Sequence, residues 1–128
     1  MRELAKYRLD RAAEFLSASK IMLENNCYKD SINRSYYAIF TTIRALLAEN
    51  EIDFKKHSAV ISYFRRNYIK TKIFNVKFSQ YVGDAFEIRN NCDYEDFYIA
   101  SREDAETQYN NAVEFYEAVK NFLESARD

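Results

Sequence analysis

The chain has 128 residues, of which 48% are hydrophobic and 30% charged, with a formal net charge of −1. That length suits one domain, 1–128, burying about two-thirds of its unfolded surface without disulfide or metal staples. Proline is absent and glycine occurs once, at Gly83; sandwiches, barrels and Gly-rich phosphate loops need far more turn residues, so an all-α fold with side-chain-capped connections remains. No stretch is long and apolar enough to span a membrane, and the charged start, Met1-Arg2-Glu3-Leu4-Ala5-Lys6, is no signal peptide. The expected location is cytoplasmic.

In chain order, Ala5, Leu9, Ala12, Leu16, Ser19 and Leu23 recur at four- and three-residue steps and predict a first helix over 2–24. Asn25-Asn26 ends it, and Asp30 or Ser31 is expected to cap a second helix over about 31–49. Its inward side is Ile32, Tyr36, Ile39, Phe40, Ile43 and Leu47. A shorter third helix covers about 57–69, with Val60, Ile61, Phe64, Tyr68 and Ile69 apolar. Asn75 opens a fourth that runs to about 90 and turns Phe78, Tyr81, Val82, Ala85 and Phe86 inward. Cys92 to Ala100 lacks helical period and reads as a loop. Ser101 to Asp104 resembles a capping box and opens the last helix, whose seam is Ala105, Tyr109, Ala112, Tyr116, Val119 and Leu123. These elements predict an antiparallel up-and-down bundle of four main helices plus a short extra one.

Charge is distributed unevenly. Residues 1–54 balance, residues 55–83 carry seven basic and no acidic groups, and residues 84–128 have a net charge of −8. The basic stretch from Lys55 to Lys77 is either a phosphate-binding rim or the partner of the acidic third, within the fold or across a dimer; a pI near 5.9 favours the second reading. The 11 Tyr and 10 Phe suit an RNA-stacking surface, but most fall on inward seams, where core packing or a subunit interface explains them.

Catalytic motifs that need several glycines are impossible with one, and HExxH is absent. Two cysteines, Cys27 and Cys92, with no CxxC spacing, give neither a disulfide framework nor a zinc site, so no metal or cofactor is expected. Neither thiol reads as a nucleophile. His57 is the only imidazole and stands beside Lys55 and Lys56 at a helix start, where it either packs or touches a phosphate. Arg89 and Asn90, expected on the last turn of the fourth helix, either face a phosphate or carboxylate, or Arg89 simply pairs with Asp93 or Glu87.

Three blocks carry a family resemblance: Asn33-Arg34-Ser35-Tyr36-Tyr37-Ala38-Ile39-Phe40 with Arg44-Ala45-Leu46-Leu47, then Lys56-His57-Ser58 through Phe64, then Arg89-Asn90-Asn91-Cys92-Asp93-Tyr94. In that order they resemble the small stand-alone prokaryotic HEPN proteins, and the pattern covers roughly residues 5–125. The resemblance implies a helical bundle that forms a homodimer, often encoded beside a minimal nucleotidyltransferase in a toxin–antitoxin or stress-response pair. Active members are metal-independent endoribonucleases in which an Arg holds the scissile phosphate. A His four to six residues further on moves the 2′-hydroxyl proton, and two copies meet across the dimer.

Arg89 matches the motif arginine and Asn90 the polar residue that often follows it. The histidine positions hold Tyr94, Glu95 and Asp96. A tyrosine with pKa about 10 is ionised roughly one part in a thousand at pH 7, which makes Tyr94 a poor general base. The tyrosine that partner enzymes modify with AMP in such pairs falls here on Asp96, so Tyr94 or Tyr98 would have to substitute.

The expectation is a non-catalytic or weakly active HEPN homodimer. It would bind a nucleotidyltransferase partner, a nucleotide or RNA at a dimer cleft around Arg89, Asn90, Lys55, Lys56 and His57. The alternative is a metal-independent endoribonuclease toxin using Arg89 with Tyr94, Asp96 or a displaced His57. A helical adaptor with no phosphate ligand is the third reading, and whether the chain is an enzyme stays open.

Overall fold

The computed structural model describes residues 1–125, and these form five α-helices and no strand. They are α1 (Glu3–Glu24), α2 (Tyr28–Ala48), α3 (His57–Phe64), α4 (Lys77–Tyr94) and α5 (Arg102–Ser125). A π-helical turn, Arg65–Ile69, extends α3. The expected bundle of four long helices and one short one is therefore the observed architecture.

Helix α2 is the central element. Its buried residues include Ile32, Tyr36, Ile39, Phe40, Ile43, Leu46 and Leu47, so it meets neighbours on several sides rather than along one stripe. The start of α1 is tied to the end of α2: the Arg2 backbone N–H donates to Glu49 Oε1 at 2.6 Å and Arg2 Nε to the Glu49 carbonyl at 2.9 Å. That arrangement makes the two helices antiparallel. Between them Ser19, Ser31 and Ser35 are buried and bonded together, with Ser19 Oγ 2.9 Å from Ser31 Oγ and 2.7 Å from Ser35 Oγ. Small hydroxyls let the two backbones approach while satisfying each other's polar groups.

Shortage of glycine has a visible consequence. Left-handed backbone falls on Asn26 (φ 64°), Glu51 (φ 58°) and Lys72 (φ 64°). After α1 the Cys27 N–H reaches the Met22 carbonyl and the Asn26 N–H the Leu23 carbonyl. After α2 the Ile52 N–H reaches Leu47 and the Glu51 N–H reaches Ala48. Both are Schellman endings built without the usual glycine.

At the opposite end of the bundle from Asn26, aromatic rings fill the core. Phe64 and Phe78 meet Phe115 at 5.4 and 5.5 Å, and Phe74 meets Phe122 at 5.2 Å between centroids. Helix α3 and its π-helical extension join this core. Val60, Phe64 and Tyr68 are spaced by four and all buried, so one face runs from α3 through the π-helical turn into this core.

Several local expectations change. Helix α2 starts at Tyr28, with Cys27 as a cap that makes no side-chain bond to the helix, so neither Asp30 nor Ser31 is the cap. The Ser31 hydroxyl instead donates to the Ser19 carbonyl at 3.0 Å, because it faces α1. Helix α4 continues through Tyr94, so residues 92–94 are helical and Arg89 lies more than a turn inside the helix end. An Arg89–Asp93 pair at i,i+4 spacing supports that extra turn. Phe86, expected inward, is partly exposed, whereas Phe115 is fully buried one position before Tyr116 on the seam. The Asn75 and Ser101 side chains do cap: Asn75 Oδ1 accepts from the Lys77 N–H at 2.9 Å and Ser101 Oγ from the Asp104 N–H at 3.0 Å.

Candidate functional site

Arg89 projects from α4 toward α2, and its side chain keeps only 16% of its surface exposed. Its guanidinium carbon lies 5.1 Å from the Tyr36 ring centre and 5.6 Å from that of Tyr37. Nη2 donates to Tyr37 Oη at 3.2 Å. Nε comes within 2.8 Å of Asp93 Oδ2, at an angle that makes an ion pair without a hydrogen bond. A positive charge over two aromatic faces, with a carboxylate on the same helix, is held in one place.

Tyr36 links this arginine to His57. The Tyr36 phenol oxygen lies 2.9 Å from His57 Nδ1, and the imidazole stacks on Phe40 with centroids 3.9 Å apart. The link spans three elements: Arg89 on α4, Tyr36 and Phe40 on α2, His57 on the first residue of α3. Each position follows from local structure. The seam spacing of α2 sends Tyr36 and Phe40 inward, and the start of α3 sets His57 against them.

The electrostatics follow from this packing. Burial pushes the Tyr36 hydroxyl up to about 12, with Arg89 only partly opposing it, so the phenol stays protonated. Burial first, then the charges of Arg89 and Arg44, hold His57 below the usual histidine value. The imidazole is therefore neutral near pH 7, with Nδ1 engaged by Tyr36 and Nε2 as its remaining polar atom.

The other sequence-derived candidates scatter around this centre. Tyr94 is 73% exposed and its side chain makes no hydrogen bond among the described residues; Asp96 is exposed and its side chain is likewise unbonded. Both stand with Asn91, Glu95 and Phe97 around the connection after α4, apart from the Tyr36–His57 contact. Asn90 is half-buried with no side-chain bond among the described residues. Lys55 and Lys56 are exposed on the approach to α3, and Lys55 borders the same cleft as His57. Cys27 is exposed at the α2 cap, and burial pushes the Cys92 thiol up, away from the reactive thiolate.

The basic stretch is little neutralised within the chain. Lys77 pairs with Glu114 at 2.9 Å, and Arg65 bonds Ser79 through Nε at 2.9 Å. Among the described residues, Lys55, Lys56, Arg66, Lys70 and Lys72 form no ion pair, so internal pairing with the acidic third is confined to Lys77–Glu114. Tyr37, Arg44 and Asp93 are the site residues that sequence reasoning undervalued. The adjacent Tyr36-Tyr37 was a usable signal, since neighbouring helix positions face different directions and one phenol could reach α4 while the other turned inward.

The chain is also similar to known proteins. The chain is 32% identical over 122 residues to a Methanocaldococcus jannaschii protein named "Putative toxin MJ0142", covering 95% of this chain and 82% of the relative. A second protein of that organism, "Putative toxin MJ0605", is 31% identical, with 96% and 91% covered. A UPF0332 protein of Thermotoga maritima is 30% identical, with 98% and 95% covered. The sequence profile of the HEPN domain matches residues 5–122, a span that holds Tyr36, His57 and Arg89 together, and the chain belongs to the HEPN domain family.

Proposed function

We propose that this HEPN-domain protein is the RNA-binding member of a toxin-type module, acting as a homodimer with a minimal nucleotidyltransferase as partner. It holds a phosphate of single-stranded RNA at the Arg89–His57 pole and cleaves it weakly or not at all. The observation that carries this reading is the meeting of Arg89 and His57 on Tyr36. It joins a fixed cation to the only imidazole, beside lysines that have no acidic partner among the described residues. Similarity to proteins named as toxins supports the module, and the family resemblance supports the dimer and its partner.

Weak chemistry follows from the environment of the two side chains. Asp93 offsets part of the Arg89 charge, and Tyr36 occupies one nitrogen of His57. An efficient ribonuclease needs a free base and an acid within reach of the same ribose. A second reading, a metal-independent endoribonuclease, is favoured by one specific observation: His57 is neutral near pH 7, the state a general base requires.

The test is binding and cleavage of a labelled single-stranded RNA in chelator by the wild type, Arg89→Ala and His57→Ala. Binding that Arg89→Ala abolishes, with no cleavage by any protein, is the expected result. Cleavage abolished by either substitution would establish the second reading. Wild-type protein that neither binds nor cleaves RNA would overturn both. Light scattering of the purified protein tests the homodimer, and co-purification from its native cells, with or without a minimal nucleotidyltransferase, tests the partner.

A further inference from the structure

On the side of His57 that leads toward the end of α2 lies an open cleft of about 460 Å³, bordered by Phe40, Arg44, Asp53, Phe54, Lys55 and His57. That volume is within the range of sites that seat small organic groups. Its wall is organised by one carboxylate. Asp53 accepts from Arg44 Nη2 at 3.1 and 3.2 Å, from Arg8 Nη2 at 3.3 Å and from the Phe54 backbone N–H at 2.9 Å. These contacts occupy its acceptor positions, so Asp53 acts as a bracket and has little capacity left for a ligand.

The bracket fixes two different recognition elements side by side. Arg44 and Arg8 share the single Asp53 charge, and Lys55 has no ion pair among the described residues, so the cleft is net positive. Phe54 remains 38% exposed although its ring leans on Tyr63 at 5.7 Å, which leaves apolar aromatic surface at the mouth. A flat apolar ring beside a fixed arginine and a lysine unpaired among the described residues matches a nucleotide, which has a π-face and a phosphate. A peptide of acidic character would use the cations but leave the exposed ring unused. His57 stands between this cleft and Arg89.

We infer that the Arg44–Asp53–Phe54–Lys55 cleft is a second nucleotide subsite, which seats the residue flanking the phosphate held at Arg89, with its base on Phe54 and its phosphate against Arg44 and Lys55. This subsite rests on the RNA-binding reading but uses residues outside the Tyr36–Tyr37–Arg89 centre. Phe54 supplies affinity that depends on a base being present. Lys55 supplies affinity that any phosphate backbone receives.

Fluorescence anisotropy with a short labelled oligouridylate, and with a fully abasic oligonucleotide of equal length, separates these contributions. Phe54→Ala is expected to weaken the oligouridylate about tenfold and the abasic strand not at all, and Phe54→Tyr to restore binding. Lys55→Ala is expected to weaken both strands and lower the salt dependence by about one charge. Circular dichroism confirms that each variant is folded; Phe54 lies in a connection, so its truncation spares the helical core. Phe54→Ala and Lys55→Ala binding both strands like the wild type, while Arg89→Ala loses them, would overturn the subsite and leave the RNA-binding centre standing. Loss in the cleft variants with Arg89→Ala unaffected would do the reverse. A wild type that binds neither strand would remove both.

Discussion

The Tyr36 hydroxyl and His57 Nδ1 lie 2.9 Å apart, and this one hydrogen bond joins α2 to the first residue of α3 beside the Arg89 guanidinium. Because burial keeps the phenol protonated and lowers the imidazole's proton affinity, the pair is neutral at physiological pH. The positive charge of the site then resides on arginine and lysine.

His57 is the only histidine, so its titration can be followed by NMR without assignment. Its midpoint is expected below 6.5, and Arg89→Ala should raise it by removing a nearby cation. The unfolded chain takes up the proton more readily than the folded one, so stability falls as pH drops below about 6.5 and is independent of His57 above it. Denaturant midpoints measured between pH 5 and 8 check the sign. A midpoint above 6.5 in the folded protein would contradict the packing.

Tyr36→Phe keeps the ring but removes the hydroxyl, leaving His57 Nδ1 without its partner. The expected loss is about 1 kcal/mol, typical of one hydrogen bond removed from a half-buried acceptor. Urea unfolding should show a lower midpoint at unchanged slope, and the same substitution should disturb the His57 NMR signal more than any other resonance.

The buried serine cluster carries a larger penalty when one member is lost. Ser19→Ala leaves Ser35 Oγ, now 2.7 Å from Ser19 Oγ, unpaired between α1 and α2. Destabilisation of about 1–3 kcal/mol is expected, since an orphaned buried hydroxyl retains its desolvation penalty. Equilibrium unfolding of Ser19→Ala beside the double variant Ser19→Ala, Ser35→Ala tests this: the second substitution should cost little more.

Glycine sits where the backbone does not need it and is missing where it would help. Gly83 is helical, and a Cβ there would meet only the end of the flexible Arg65 side chain, at 3.1 Å. Gly83→Ala should stabilise by about 0.5 kcal/mol as helix propensity outweighs a small shift of Arg65. Lys72→Gly should also stabilise by about 0.5 kcal/mol, because relief of left-handed strain at φ 64° exceeds the added freedom of the unfolded chain. Thermal denaturation should show both melting temperatures raised by a few degrees.

Much of this architecture could be read from residue spacing. Ala5, Leu9, Ala12, Leu16 and Ser19 are all buried along α1, as their four- and three-residue steps require. Ala105, Ala112, Tyr116, Val119 and Leu123 repeat this on α5. Periodicity reports a helix and its buried face because both depend on local geometry. Helix ends were less legible: α4 outlasts its apolar pattern because the Arg89–Asp93 pair supports another turn, and α2 begins early although Cys27 offers no side-chain cap.

By itself the sequence determined an all-helical bundle and most of its inward residues, and it put forward Arg89, Asn90, Lys55, Lys56 and His57 as candidate phosphate contacts, with Tyr94 and Asp96 beside Arg89 as candidate catalytic groups. Composition and short-range spacing suffice for that, because helix formation and burial patterns act over a few residues. Only the tertiary structure decided that Arg89 meets Tyr36 and Tyr37, that His57 closes on Tyr36 while Tyr94 and Asp96 stay outside, and that Asp53 brackets Arg8 and Arg44. Those contacts join distant positions, and their geometry depends on how helices rotate and cross when the whole core is packed.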